Sequence, residues 1–117
     1  MRKARTLGDP LAALLALSGA IAVIAGAYGA HGASGKAAEW LTTGAQYQMI
    51  HAAAGLAIIG KGRGPAAMLL FGAALFAGTL YWMALGGPKW LGAVTPLGGL
   101  GMILGWMWLA VVYLRGR

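Results

Sequence analysis

The chain has 117 residues, of which 60% are hydrophobic and only 9% are charged, whereas a soluble domain carries roughly a quarter charged residues. This composition excludes a water-soluble surface and predicts one transmembrane domain over residues 1–117, and the lack of cysteine excludes disulfides, thiolate metal sites and cysteine nucleophiles. The net charge of +7 does not indicate nucleic-acid binding, because the basic residues stand at segment ends rather than on one face.

Four apolar segments predict an all-α integral membrane protein, a four-helix up-down bundle with spans at about 10–30, 42–60, 65–85 and 96–114. The first span opens with Asp9 as N-cap and Pro10 at the first helical position. Its run of twenty uncharged residues makes about 30 Å of helix, enough to cross a bilayer. A cleaved signal peptide is the alternative, but its apolar core is usually only about 7–15 residues long. We therefore expect a membrane span.

The connections between spans carry aromatic and turn residues. Residues 36–43 predict a short interfacial helix with Trp40 at headgroup level. The second span is expected to continue back through Leu41, with a bend at 42–44. Trp90 is a second interfacial candidate in the other outer connection. A proline is expected to begin each of the last two helices, Pro65 after a tight basic turn and Pro96 after a Thr95 N-cap.

The basic residues predict the orientation. With four spans, the N-terminal arm, the middle turn and the C-terminal tail share one side, and they carry Arg2, Lys3, Arg5, Lys61, Arg63, Arg115 and Arg117. The two outer connections carry only Lys36 and Lys89. Because cytoplasmic loops are enriched in Lys and Arg, both termini are expected in the cytoplasm.

Small residues recur at helical spacing and predict close packing, since they let helix backbones approach in lipid. The stripes are Ser18, Ala22, Gly26 and Ala30, then Ala74 and Gly78, then Gly98, Gly101 and Gly105. We expect these faces to meet inside a tight bundle. Larger residues are expected towards lipid or at the bundle periphery, namely Trp106, Trp108, Leu69, Leu70 and Phe71. Use of one face as a homo-oligomer contact is the alternative. The two helical hairpins also resemble each other loosely, through duplication or through convergence of composition.

Polar side chains at membrane depth form the candidate site, because they need partners there. They are His31, Gln46, Tyr47, Gln48, His51, Thr79, Tyr81 and Thr95. We expect a cluster in the outer half of the bundle, with His51 deepest at roughly 13 Å from the inner end of its helix, and neutral because burial disfavours its charged form. The cluster either hydrogen-bonds internally and sets helix register, or forms a proton, ligand or quinone site.

Several chemistries are disfavoured. His31 and His51 differ in depth by roughly 15 Å, so they do not suit one haem, and no spacing matches a closed metal site. Both acids of the chain, Asp9 and Glu39, stand at segment ends, which argues against a cation exporter with an intramembrane carboxylate and against a Ser-His-Asp set. We expect no catalytic residues, no metal, no cofactor and no enzymatic activity.

Several motifs together resemble a known family. They are Gly26-Ala27-Tyr28-Gly29-Ala30-His31-Gly32, Thr43-Gly44-Ala45-Gln46-Tyr47-Gln48-Met49-Ile50-His51-Ala52, Ala77-Gly78-Thr79-Leu80-Tyr81, Thr95-Pro96-Leu97-Gly98-Gly99 and Gly105-Trp106. In that order they are similar to the family catalogued as domain of unknown function 423, with Tyr28 and Thr79 standing where Phe and Ser are usual. The resemblance implies a small four-helix protein of the bacterial inner membrane, with a similar mitochondrial relative. It marks the eight candidate residues and Pro96 as important without giving them roles.

Taken together, these features predict a non-enzymatic inner-membrane protein whose polar cluster organises the bundle. Its role would come from binding a lipid, a quinone-like molecule or a larger membrane complex. The first alternative is a small channel or proton-coupled carrier using His51, although the inner half looks dry. The second is an accessory subunit of a membrane complex. Expected partners are the lipid bilayer and either further copies of the chain or a larger assembly, with no nucleic acid.

Overall fold

The computed structural model describes residues 7–116, and in that range the chain is helical without strands. Its elements are α1 (Pro10–His31), α2 (Gly35–Ile58), α3 (Arg63–Ala84), a 3₁₀ helix (Lys89–Ala93) and α4 (Thr95–Leu114). By length and composition, α1, α3 and the segment Lys89–Leu114 could each cross a membrane. The basic residues Arg2, Lys3, Arg5 and Arg117, assigned above to the inner side, lie outside the described range.

The structure confirms the predicted start of α1 and corrects those predicted for α3 and α4. The Asp9 N-cap is confirmed, because its Oδ1 accepts the backbone N–H of Ala12 at 3.2 Å and Pro10 follows. The Thr95 N-cap is wrong, because the 3₁₀ helix runs almost directly into α4 and Thr95 already lies within the helix. Its hydroxyl instead donates back to the Leu91 carbonyl at 3.1 Å. α3 begins at Arg63, two residues before Pro65.

The separate interfacial helix expected at 36–43 is also absent. α2 is one continuous helix from Gly35, with no break at 42–44. A left-handed φ of +60° at Gly35 turns the chain back towards α1. The segment stays in α2 because Leu41, only 3% exposed, packs with Ala25 and Ala45. Burial against α1 therefore outweighs the interfacial preference of Trp40.

The four helices form a staggered row rather than a square bundle. Each helix packs along its length on its neighbour in sequence, whereas α1 touches α3 only lightly. The molecule measures 57 × 31 × 19 Å, which is thin for four helices whose axes are spaced about 8–10 Å apart. One groove lies over α2, between α1 and α3. A second groove lies over α3, between α2 and α4.

The small-residue faces are used differently from the prediction. Buried positions on α1 are Leu15, Ser18, Ala22, Ala25 and Gly29, and on α4 they are Thr95, Gly98, Met102, Gly105 and Leu109. Their alternating three- and four-residue spacing is that of left-handed helix pairs. The α1 face meets α2 and the α4 face meets α3, so the two faces do not meet each other. The expected α3 face is wrong: a Cβ added at Gly78 would meet no atom within 4 Å, and Gly72 makes the close contact instead. The peripheral position expected for Leu69 and Leu70 is also wrong, because both are buried in the core.

Several charged residues lie together where α1 and α3 begin and α2 and α4 end. Arg63 donates from Nη1 and Nη2 to the two carboxylate oxygens of Asp9 at 3.0 and 2.8 Å. Lys61 lies 4.9 Å from the ring centre of Tyr113. These contacts bring the starts of α1 and α3 beside the ends of α2 and α4. Hydrogen bonding from Arg63, and then from the Ala12 backbone, lowers the pKa of Asp9 from 3.8 to about 2.

Candidate functional site

The side-chain amide of Gln48 joins three helices. Its Nε2 donates to Ser18 Oγ on α1 at 3.0 Å, and its Oε1 accepts the hydroxyl of Tyr81 on α3 at 2.6 Å. Gln48 is 5% exposed and Ser18 is 6% exposed. In an apolar environment an amide needs both its donor and its acceptor satisfied. The centre of the molecule therefore contains a hydrogen-bonded chain running from α1 through α2 to α3.

The position of Tyr81 depends on a glycine of α2. A side-chain carbon at Gly44 would lie 2.7 Å from Cε1 of Tyr81, closer than van der Waals contact allows. Gly44 thus leaves the space through which the ring reaches Gln48. Both residues belong to the motifs identified in the sequence, and the structure shows a steric reason for having glycine at this position.

His51 makes a second connection, from α2 to α4. Its Nε2 lies 2.9 Å from the indole nitrogen of Trp106, and its Nδ1 lies 2.7 Å from the Tyr47 carbonyl oxygen. An indole N–H can only donate, and a carbonyl can only accept. The ring is therefore the neutral tautomer with its proton on Nδ1.

A third connection joins the last turns of α3 to the start of α4. The hydroxyl oxygens of Thr79 and Thr95 are 2.6 Å apart, and each also lies within hydrogen-bond distance of a backbone carbonyl, at Phe76 and Leu91 respectively. Two hydroxyl protons serve three contacts, so one threonine donates to the other, which donates to its own carbonyl. The pair links the third and fourth helices at the level where the 3₁₀ helix joins α4.

These three connections use up the buried hydrogen-bonding groups. Among residues 7–116, every buried side-chain nitrogen or oxygen atom has a partner within the protein. The same part of the chain brings together no group of three or more His, Cys, Asp or Glu side chains that could hold a metal ion. The arrangement can therefore set helix register.

A lateral groove runs beside the His51 connection. It has a volume of about 350 Å³ and is lined by Tyr47, His51, Phe76, Gly99, Met102, Ile103 and Trp106. Tyr47 and Phe76 have ring centres 4.7 Å apart, and His51 and Trp106 meet edge to face at 5.7 Å. The groove opens between α2 and α4 and presents aromatic surface with few polar atoms.

Six of the eight candidate residues take part in these connections. Gln48, His51, Thr79, Tyr81 and Thr95 contribute side chains, and Tyr47 contributes its carbonyl and one wall of the groove. His31 and Gln46 do not join them, because both are exposed on the helix surface. His31 ends α1, and Gln46 faces away from α1 and α3.

Two hydrogen-bond partners in these connections were not predicted from the sequence. Ser18 was predicted as one of the small residues of α1, but the hydrogen bond that its hydroxyl accepts from Gln48 was not predicted. Trp106 was placed at the periphery as an apolar residue. The residue is 41% exposed, but its indole N–H donates inward to His51. An indole N–H inside a membrane needs an acceptor, which was the signal available in the sequence.

Comparison with known proteins identifies the family. The model of a protein family of unknown function, DUF423, matches residues 25–99. The chain belongs to this family. A UPF0382 membrane protein of Haemophilus influenzae is 38% identical, covering 83% of this chain and 87% of its own. YgdD, a UPF0382 inner membrane protein of Escherichia coli K12, is 38% identical, over 65% of this chain and 64% of its own.

A UPF0382 membrane protein of Staphylococcus epidermidis is 39% identical over 59% of this chain, and the match spans 62% of that relative. No solved structure matches the chain. The family match includes α2, α3 and the Thr79–Thr95 pair, while Ser18 and Trp106 lie on either side of it. The chain is thus a helical membrane protein of the DUF423 family.

Proposed function

We propose that this protein is a multi-pass inner-membrane protein without catalytic chemistry, in which internal hydrogen bonds hold four spans together and the outer surface makes the functional contacts. The observation that carries the proposal is the complete pairing of buried polar side chains among residues 7–116. A catalytic or proton-carrying site needs groups free to exchange partners with a substrate, whereas the polar groups here bind one another.

The proposal includes α2 as the fourth span. α2 is less apolar than the other helices and is not among the segments selected by hydropathy. Two of its polar residues, Gln48 and His51, are nevertheless buried between neighbouring helices and paired there. A helix inside a protein can carry paired polar groups through a membrane. Four spans place the basic end, with Arg63 and Arg115, in the cytoplasm together with both termini.

Cysteine labelling in intact cells tests this topology, because the natural chain has no cysteine. Ser34→Cys probes the connection after α1, and Gly60→Cys probes the turn after α2, where no atom lies within 4 Å of an added Cβ. We expect a membrane-impermeant maleimide to reach position 34 from outside and position 60 only after the membrane is opened. Labelling of both from the same side would contradict four spans.

A channel or carrier is disfavoured because the buried polar side chains bind one another. Ser18, Gln48 and Tyr81 bind one another from three different helices, so their hydrogen-bonding groups are already paired. The groove over Gln48, lined by α1 and α3, is also apolar along its walls, with residues such as Leu14, Leu17 and Ile21. We expect ion and proton flux in proteoliposomes to equal the empty-vesicle leak, and a flux clearly above that leak would support the carrier instead.

A small apolar ligand is the second candidate function, favoured by the aromatic groove between α2 and α4. Its volume of about 350 Å³ lies at the lower end of ligand pockets. A quinone-like headgroup or a lipid chain could pack against Tyr47 and Trp106 there. Tyr47 is 44% exposed, and its hydroxyl could donate to a ligand carbonyl.

Native mass spectrometry from nanodiscs distinguishes these possibilities. If the protein acts through its scaffold alone, it should appear bare or carrying exchangeable lipid. A defined mass retained per chain would indicate a ligand, and a retained protein would indicate an accessory subunit. Gly99→Leu should fill the groove beside His51 and displace a ligand bound there, since only Phe76 lies near a Cβ at this position, at 3.9 Å. Gly78→Leu is the matched control, because it fills other grooves of α3.

A further inference from the structure

The side of α2 that faces away from α1 and α3 is uncovered. Five exposed residues lie along it, and we call them the α2 face: Thr43, Gln46, Ile50, Ala53 and Ala57. They recur at alternating three- and four-residue intervals, the spacing at which helices pair in a left-handed manner. The buried positions of α2 lie on the opposite side, around Gln48 and Gly55. None of the other three helices of the chain covers the α2 face.

Gln46 is out of place on a surface that contacts lipid. α1 and α2 are level where a Cβ at Gly26 would lie 3.4 Å from Cβ of Ala45, and α1 continues for five residues to His31. Gln46 therefore lies roughly 8 Å below the outer end of α1, within the membrane on the four-span architecture proposed above. Its side chain makes no hydrogen bond within residues 7–116 and is exposed. An amide without a partner in hydrocarbon is costly.

The other outward surfaces are composed differently. α1 exposes residues such as Leu17 and Ile24, and α4 exposes Ile103, Leu104 and Val111. These are large apolar side chains suited to lipid tails. The α2 face instead combines Gln46, Thr43 and two alanines with one large apolar residue, Ile50. Small and polar residues of this kind occur where membrane helices contact one another.

We propose that a second copy of this chain covers the α2 face, so that two α2 helices pack around a twofold axis along the membrane normal and their Gln46 amides pair. A twofold axis brings the same residue of both copies to the same depth. A primary amide has both a donor and an acceptor, so it is complementary to itself. A lipid tail offers neither. Ala53 and Ala57 lie towards the inner end of the same stripe and let the two backbones approach.

The outer end of the stripe does not oppose this contact. Glu39 lies on the same side of α2 and is paired with Lys36 at 3.6 Å. The two copies would thus meet there with neutral ion pairs rather than with two unpaired carboxylates. The same ions could also exchange partners across the axis.

Disulfide crosslinking in liposomes tests which face is in contact. Ala53→Cys places a thiol on the α2 face, five residues before α2 ends. Ala110→Cys is the matched control, since it is also exposed and lies four residues before α4 ends. The proposal predicts an oxidised dimer for position 53 and at most random collision products for position 110. Equal crosslinking at both positions would overturn it.

Substitution of the amide tests the hydrogen bond itself. Gln46→Leu should still insert and fold, because it makes the surface more apolar, and it should raise the dimer dissociation constant in liposomes about 3- to 30-fold. Gln46→Asn keeps the amide and should retain more of the affinity than Leu. A monomeric natural protein, or a Leu variant that dimerises as well as the natural one, would overturn the proposal. Labelling at positions 34 and 60 separates the two failures: a four-span monomer refutes the dimer alone.

Discussion

The α1–α2 and α3–α4 hairpins resemble each other in composition but pack differently. Between α1 and α2, Gly19 and Gly26 face alanine methyl groups: an added Cβ at Gly19 would lie 3.8 Å from Cβ of Ala52, an ordinary contact. Between α3 and α4, Gly72 and Gly98 face backbone. An added Cβ at Gly98 would overlap the backbone nitrogen of Phe76, and one at Gly72 would lie 2.7 Å from the backbone nitrogen of Met102.

This difference shows that glycine spacing alone does not reveal how closely two membrane helices approach. A methyl-lined contact keeps side chains between the backbones and can adjust, whereas a backbone contact cannot, because helix backbones are rigid. The polar connections also differ. The first hairpin depends on Gln48 bound to Ser18, and the second on the threonine pair.

The largest expected effect is on the α3–α4 contact. Gly98→Ala should lower the free energy of unfolding by about 3 kcal/mol, the upper part of the range for overpacked cores, since the neighbouring atoms are backbone. Gly19→Ala, which meets only the methyl group of Ala52, should change it by less than about 0.5 kcal/mol. Steric trapping in bicelles measures both. Equal effects of the two substitutions would remove the distinction between the hairpins.

The next effect concerns the bridge that joins the first hairpin to α3. Gln48→Leu removes both hydrogen bonds and leaves the hydroxyls of Ser18 and Tyr81 without this partner. We expect a loss of about 1–2 kcal/mol of unfolding free energy. Met49→Leu on the same helix is exposed and should have little effect. If Gln48→Leu were neutral, the amide would not be holding the helices together.

A smaller effect is expected for the threonine pair of the second hairpin. Thr79→Val keeps the shape but removes the hydroxyl that lies 2.6 Å from Thr95. Because Thr95 can still donate to the Leu91 carbonyl, the cost should be about 0.5–1 kcal/mol. Thr79→Ser, which retains the hydroxyl, should behave nearly as the natural protein does. A loss with Ser as large as with Val would assign the effect to packing.

The smallest effect is a pH dependence at the charged end. Arg63 lowers the pKa of Asp9 from 3.8 to about 2, so folding favours the ionised carboxylate. The stabilisation is complete above pH 4 and is lost as the pH falls through about 2. The thermal midpoint of the natural protein in detergent should therefore fall between pH 4 and pH 2 more than that of Asp9→Asn. Parallel curves would show that this ion pair contributes nothing measurable.

Much of the fold could be predicted from the sequence. The apolar segments predicted the four helices within a few residues, apart from the start of α2, because their lengths reflect the bilayer. The start of α2 could not be predicted, since burial of Leu41 against α1 decides it. The staggered row also needed the structure. Composition cannot tell whether the Gly98 face meets α1 or α3.

The candidate site was partly predictable. Membrane depth identified Gln48, His51 and Tyr81 as residues needing partners, but it could not pair them. Gln46 and Gln48 look alike in the sequence and are only two residues apart. A helix turns about 200° over two residues, so one amide points into the protein and the other away from it.

The central claim is that the polar cluster holds the helices together through specific hydrogen bonds. A double-mutant cycle of Gln48→Leu and Tyr81→Phe tests it most directly, using unfolding free energies in bicelles. The 2.6 Å bond between the two side chains predicts a coupling energy of about 0.6–1.7 kcal/mol. Strictly additive losses would contradict the claim, because they would mean that the two residues stabilise the protein independently.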